Sequence, residues 1–223
     1  MHLLKSLQEN VKKCVSTLQK EAPMEQTPQY NNFDYNECLE TARQFHGDAC
    51  SGIKTGTRMA ILGMEAIGIK DPLGEDKKNL LVYVESDRCA SDAILAITGC
   101  HPGKRTLKVF NYGKMAATFV NLKTGKAVRV ASKNREGDIV TTREMILANP
   151  HTDEHLMKPD NELFDVQEVD VKIPEGELPG PPSRVVTCAV CGERVMDQRD
   201  VLIDGKYYCI PCANKEHYYA HKK

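Results

Sequence analysis

The chain has 223 residues, of which 41% are hydrophobic and 27% charged, and its formal net charge is −1. This length allows one sizeable domain or a medium domain with a small companion, and near-neutrality excludes a bulk attraction to nucleic acid or to an anionic membrane surface. No run approaches the roughly 20 apolar residues of a membrane span, and the opening MHLLKSLQENVKKC lacks the apolar stretch of a secretion signal; a cytoplasmic protein with no membrane partner is expected.

In chain order, Leu3, Leu4, Leu7, Val11, Val15 and Leu18 recur at helical spacing and predict an amphipathic helix over 3–20. Pro23 and Pro28 follow in a polar linker, so residues 1–32 read as an N-terminal helix and linker. A second helix is predicted over 34–45, capped by Asp34 or Asn36 and broken at His46-Gly47. A third runs over 52–67 and stops at Gly68 and Asp71-Pro72. Residues 79–86 (NLLVYVES) are apolar and β-branched and read as a buried strand. A turn at 87–89, a short helix over 91–98 and a loop over 99–103 follow, then a strand over 106–112. Strands at 115–122 and 127–132 flank Lys123-Thr124-Gly125-Lys126, a hairpin signal. A Thr-capped helix over 141–148 and a strand over 164–173 complete the body.

Helices first and strands afterwards make an α+β fold, a mixed helix and sheet core domain over 33–173. Residues 174–184 are Pro- and Gly-rich and read as a linker with no element. Residues 185–223 form a small separate module.

That module carries Cys188-Ala-Val-Cys191, seventeen residues, then Cys209-Ile-Pro-Cys212. Zn²⁺ prefers four thiolates in a tetrahedron, and two CxxC knuckles at this separation supply them. Asp204-Gly205 is a hairpin turn, and Cys212 opens a short helix to about Tyr219. Knuckle, hairpin and helix describe a treble-clef zinc finger with Cys188, Cys191, Cys209 and Cys212 as ligands of a structural zinc; a redox dithiol pair and an iron–sulfur site are the alternatives. From Cys188 onward six Lys and Arg face five Asp and Glu. That balance gives no basic stripe, so nucleic acid is not the expected partner.

The chain holds nine cysteines. Without a secretion signal, such clusters point to metal or thiol chemistry rather than disulfides. In the body, three segments place Cys where elements begin or end: FHGDACSG (45–52), ESDRCASDA (85–93) and TGCHPGK (98–104), followed by NYGK (111–114). His46 and Cys50 are four apart, within reach of one ion. Lys104, Lys114 and Arg88 are placed to lower a thiol pKa or to hold an anionic ligand, and Gly99 and Gly103 to form an anion nest. The competing reading of these residues is buried thiols with a hydrogen-bonded His.

These segments also resemble the FmdE family, named for a protein encoded with the formylmethanofuran dehydrogenase complex. The family pattern runs approximately F-H-G-H-x-C-P-G, V-E-x-x-x-C-x-x-D-A-I, T-G-C-T-x-G-K and D-Y-G-K. Here the motifs stand as FHGDACSG, VESDRCASDAI, TGCHPGK and NYGK, in that order, over about 34–172. The resemblance implies an α+β core, a homodimer, an appended treble-clef finger and a core metal or active site. Carried onto this sequence, it nominates His46, Cys50, Cys89 and Cys100 as ligands of a second metal, again Zn²⁺, with Cys50, Asp92 and Lys114 as catalytic candidates. Four departures bear on the site: Asp48 for a His, Ser51 for a Pro, His101-Pro102 within the third motif and Asn111 for an Asp. A carboxylate at 48 is a harder ligand than imidazole.

Three functions follow from this reading. One is a metal-binding accessory to one-carbon or molybdopterin redox metabolism, with a redox-enzyme or cofactor-assembly partner. Another is a zinc enzyme acting on a small substrate, with Glu85, Asp92 or His101 as acid or base. The third is a regulatory finger touching nucleic acid.

Overall fold

The computed structural model describes residues 28–133, 142–148, 156 and 158–220, and the expected helix over 3–20 lies outside them. Asp34 starts the first described helix, α1 (Tyr35–His46), its carboxylate accepting the Glu37 N–H at 2.9 Å. Gly47, at φ 107°, ends the helix in a left-handed conformation that costs glycine nothing. Helix α2 (Ser51–Ala66) follows with Cys50 as its N-cap residue.

Five strands form one sheet in the order β2-β1-β3-β4-β5: β1 (Leu80–Val84), β2 (Leu107–Val109), β3 (Ala116–Asn121), β4 (Ala127–Ser132) and β5 (Phe164–Glu168). β1 pairs with β2 in parallel, and the other neighbours are antiparallel. A parallel pair needs a crossover rather than a hairpin. Helix α3 (Cys89–Thr98), with a 3₁₀ turn at Pro102–Lys104, supplies it. The body is the expected mixture of helix and sheet.

Leu80, Val82 and Val84 of β1 point to the helices, with Phe119, Val128 and Val130 beside them. Leu81 lies on the opposite face with Val120 and Ala127, under Val169, Val171 and Ile173. Both faces of β1 are therefore covered, which is why its sequence is continuously apolar instead of alternating. Each buried Leu or Val of this kind contributes about 1.5–3 kcal/mol relative to exposure. The strand expected over 164–173 is shorter than that: pairing ends at Glu168, and the apolar residues beyond it cover the second face.

Arg58 of α2 is 2% exposed and donates to Asp160 Oδ1 (2.6 Å) and to the carbonyls of Leu156 (2.5 Å) and Lys158 (2.9 Å). It thereby fastens the segment holding α5 (Asp160–Leu163) to the core; α4 is the short helix Arg143–Ala148. A buried guanidinium is tolerable only when paired and hydrogen-bonded in this way.

The proline-rich stretch differs from the expectation of no element. Glu175–Glu177 forms a 3₁₀ turn tied to its surroundings. Glu177 pairs with Lys108 of β2 (3.0 Å) and with Arg199, while Arg105 contacts Asp197 and the Gly176 carbonyl and reaches Leu178 O at 3.2 Å. These partners are far apart in sequence, so local composition carries no sign of them. The C-terminal module contains β6 (Val185–Thr187) paired with β7 (Arg194–Met196), and β8 (Asp200–Ile203) paired with β9 (Lys206–Cys209). Asp204 and Gly205, at φ 49° and 72°, turn the second hairpin as expected. Its helix, α6 (Ile210–Asn214), starts two residues before Cys212 and is shorter than the expected run to Tyr219. Pro211 favours the early start, and Lys215 at φ 55° terminates it.

Candidate metal centres

In the core, side-chain donor atoms of His46, Cys50 and Cys89 all lie within 4.8 Å of one another. His46 stands at the last position of α1, Cys50 caps α2, and Cys89 opens α3. Three helix ends therefore converge, and two of them are N-termini whose partial positive charge favours thiolate. Small residues on α2 allow this approach. A Cβ on Gly52 would lie 2.9 Å from Cys89 Cβ and 3.7 Å from Cys50 Sγ. One turn on, a Cβ on Gly56 would lie 2.6 Å from both Cα and O of Ala90. Larger side chains at these two positions would drive α3 away and separate the two sulfurs.

Asp92, on the first turn of α3, places Oδ2 2.8 Å from His46 Nδ1. A carboxylate on Nδ1 fixes the ring and leaves Nε2 for a metal, the usual outer support of a metal-ligating histidine. Asp48, which stands where the family pattern has histidine, accepts the Cys50 N–H at 3.1 Å and lies 4.0 Å from His46 Nε2. Burial pushes the Cys89 thiol up from its ordinary value, and the adjacent Cys50 sulfur adds to that. A cation between the sulfurs would reverse both effects. One nitrogen and two sulfurs on this spacing fit Zn²⁺, with the remaining tetrahedral position left to a non-protein ligand or to Asp48.

Other nominated residues lie elsewhere. Cys100 is 3% exposed in the hydrophobic core, with its sulfur 3.7 Å from Leu80 O, and it is not part of the three-residue group. The apolar environment that raises its pKa is a packing environment. Lys114 is exposed, its Nζ 6.0 Å from the Tyr112 ring. Glu85 is held by a two-point pair with Arg129 (2.6 and 2.8 Å). Gly52 and Gly56 let α3 approach α2; Gly52 closes the FHGDACSG motif, but neither glycine is singled out by sequence reasoning as a packing position. Their four-residue spacing is the available signal, though glycines at that interval are too common to nominate a site.

In the C-terminal module, the sulfurs of Cys188, Cys191, Cys209 and Cys212 also lie within 4.8 Å of one another. Cys191 and Cys209 are 3.9 Å apart. Two sulfurs on a tetrahedral zinc, each at about 2.3 Å, would be separated by about 3.8 Å. The knuckle turns at Gly192, whose N–H donates to Cys188 O at 3.0 Å, and the Ala189 N–H donates to Tyr207 O (2.8 Å), joining knuckle to hairpin. Backbone N–H groups of Cys191, Cys209 and Val190 hold the Cys188 thiol down at about 6. The Cys209 sulfur and then burial push Cys212 up to about 12. Adjacent thiolates oppose one another's ionisation, and a divalent cation at the centre removes the conflict.

Comparison with known proteins agrees with this organisation. The family model described as "FmdE, Molybdenum formylmethanofuran dehydrogenase operon" matches residues 45–170, and the prokaryotic dksA/traR C4-type zinc finger matches residues 182–218. A probable S-adenosyl-L-methionine-binding protein of Archaeoglobus fulgidus is 36% identical over 93 residues, 41% of this chain. The match spans 25% of that relative's length. The crystal structure of a tungsten formylmethanofuran dehydrogenase FmdE-like protein from Syntrophus aciditrophicus superimposes with a TM-score of 0.54 at 21% identity. That match covers 86% of this chain and 100% of the other, and it shows a shared fold. Among the described residues no helix is long and apolar enough to cross a membrane. With its helix-and-sheet core and its paired CxxC knuckles, this metal-binding chain belongs to the FmdE family and carries a dksA/traR-type C4 zinc finger at its C-terminal end.

Proposed function

We propose that the protein binds two zinc ions of different kinds. Cys188, Cys191, Cys209 and Cys212 hold a closed structural ion. His46, Cys50 and Cys89 hold a second ion with one position open. The observation that carries the second site is the 2.8 Å contact of Asp92 with His46 Nδ1, which holds the ring and leaves Nε2 to ligate, in a residue grouped within 4.8 Å with the two thiols. The cell role we assign is a cytoplasmic, homodimeric accessory to one-carbon or molybdopterin redox metabolism, working beside a redox-enzyme or cofactor-assembly partner. The operon description attached to the matching family supports that assignment.

An enzymatic role is the second reading. It is favoured by the three-ligand set, because zinc held by three protein ligands is the catalytic class and acts there as a Lewis acid. Asp92 holds the His46 ring in this reading, and the remaining chemistry belongs to the substrate.

Elemental analysis of the full chain tests the assignment directly. About two zinc per chain are expected, falling to about one in either Cys50→Ser or Cys188→Ser. One zinc in the full chain, lost entirely in Cys188→Ser, would overturn the core site. With two zinc ions established, turnover of a small substrate that disappears in Cys50→Ser would favour the enzyme. A partner captured only when the finger is intact would favour the accessory.

A further inference from the structure

Beside the core centre, but not including any of its three ligands, lies an open cleft of about 460 Å³. Its floor is Leu95 and Ala96 on the last turn of α3, and one wall is Thr41, Gln44 and Phe45 on α1. Leu73 and Lys77 form a second wall, and His101 and Lys104 a third. Phe45 and Leu73 are 54% and 59% exposed, two large apolar side chains of the lining that face solvent. No carboxylate lines the cleft, whereas two lysines and a histidine do.

We propose that this cleft binds a small organic anion, a molecule with an apolar body and one acidic group such as a carboxylate or phosphate. The apolar body lies on Leu95 and Ala96 between Phe45 and Leu73, and the acidic group meets Lys77, Lys104 and a ring N–H of His101. Volume and lining are those of a small-molecule site, mostly apolar with a few polar groups placed for orientation. The partial negative charge at the C-terminal end of α3 is opposed by the two lysine cations.

Both flanking loops are preorganised, so binding orders little that is not already ordered. Asp76 accepts the N–H groups of Lys70 (3.0 Å) and Asp71 (3.2 Å), and Asp71 accepts those of Gly74 (2.9 Å) and Glu75 (3.0 Å). This fixes the loop that carries Leu73 and Lys77. Leu73 is seated directly on Gly99, where a Cβ would be 2.6 Å from its Cδ2. On the other side, the His101 carbonyl accepts from Lys104 N and Thr106 N (3.2 Å each), and the His101 N–H donates to Thr106 Oγ1 (3.0 Å). The cleft shares its two helices with the metal centre: Phe45 precedes His46, and Leu95 and Ala96 lie one turn beyond Asp92. The proposal does not depend on the core metal, because no ligand of that centre is in the lining.

The test uses the full-length protein and two fluorescent probes. 8-Anilinonaphthalene-1-sulfonate carries an aromatic body and an anion; N-phenyl-1-naphthylamine has the same body without the charge. The expected result is saturable binding of the anionic probe at one site, with amide chemical-shift changes concentrated in residues 41–45, 95–99 and 101–104. The uncharged probe should bind about tenfold more weakly or worse. Lys77→Glu/Lys104→Glu should weaken the anionic probe by about tenfold, with the melting temperature unchanged because both side chains are exposed. The same charge change on the finger, Lys206→Glu/Lys215→Glu, should leave binding intact. No binding, equal binding of the two probes, equal loss in both charge-reversed variants, or shifts centred on the finger or on Tyr83, Phe110 and Tyr112 would each overturn the proposal.

Discussion

Among the described residues of the finger, Cys188 is the one buried hydrophobic residue, while Val190, Leu202 and Ile203 are 68%, 60% and 41% exposed. In the body, Cys50 and Cys89 pack against a continuous cluster that includes Ile53, Met59, Ile94 and Phe119. The finger has almost nothing to bury except its sulfurs, so the free energy of folding there is the free energy of metal binding. The body folds on apolar area and carries its sulfur and imidazole donors at helix ends as an addition. Sulfur clustering thus stands nearly alone in one region and is added to an independent apolar core in the other. What separates them is how much apolar surface surrounds the sulfurs.

Metal removal should divide the two regions most widely. Chelation at pH 7 is expected to unfold residues 185–214, a loss on the order of 10 kcal/mol of metal-coupled folding energy, while the sheet stays folded. Amide hydrogen exchange would read this as lost protection in β6 to β9 alone. Loss of protection in β1 and β3 as well would mean that the body also folds on metal.

A packing variant comes next in size. Gly56→Val places a branched side chain where Ala90 backbone atoms would be 2.6 Å from its Cβ, and should cost about 3 kcal/mol in urea unfolding. It should also release the core metal, since α3 carries Cys89. Full metal content in that variant would show that the centre does not depend on the close approach of α2 and α3.

Asp92→Asn tests the support of His46 without removing a ligand. Zinc affinity of the core site should fall about 10- to 100-fold in chelator competition, and the finger site should not change. An unchanged core affinity would mean that the His46 ring is fixed by packing alone.

The smallest effect is a pH dependence. The Arg129 guanidinium holds the Glu85 carboxyl below its ordinary value, so its folded pKa lies under the unfolded value of about 4.3. Stability from this pair is complete above that unfolded value and is lost as pH falls through the folded one. Arg129→Met should cost about 1 kcal/mol at pH 7 and flatten the acid limb of the stability curve below about pH 4.3. Parallel acid limbs in the two proteins would locate the acid sensitivity elsewhere.

The expectations that held were local ones. Asp34 starting α1, Gly47 ending it, the apolar run of β1 and the hairpin turn at Asp204-Gly205 are each set by a few consecutive residues, because caps, turns and burial periodicity act over one or two turns of chain. The paired CxxC knuckles are legible for the same reason, since two short spacings bring all four thiols together. Among the core candidates, sequence could nominate Cys50, Cys89 and Cys100 but could not choose between them. Cys100 sits among apolar side chains by Leu80, and Cys89 sits by Cys50, because Gly52 and Gly56 let α3 approach α2 at one end. The contact of Asp92 with His46 across 46 residues, the Arg58 clamp on Asp160, and the ties of Glu177 to Lys108 and Arg199 are likewise long-range pairs. The sequence alone determined the main helices α1 to α3, the strands β1 to β4 and the thiol knuckles, since those follow from neighbours along the chain. Only the tertiary structure decided which donors share a centre, because that depends on how closely two helices pack, and here the absence of a Cβ at two positions sets that distance.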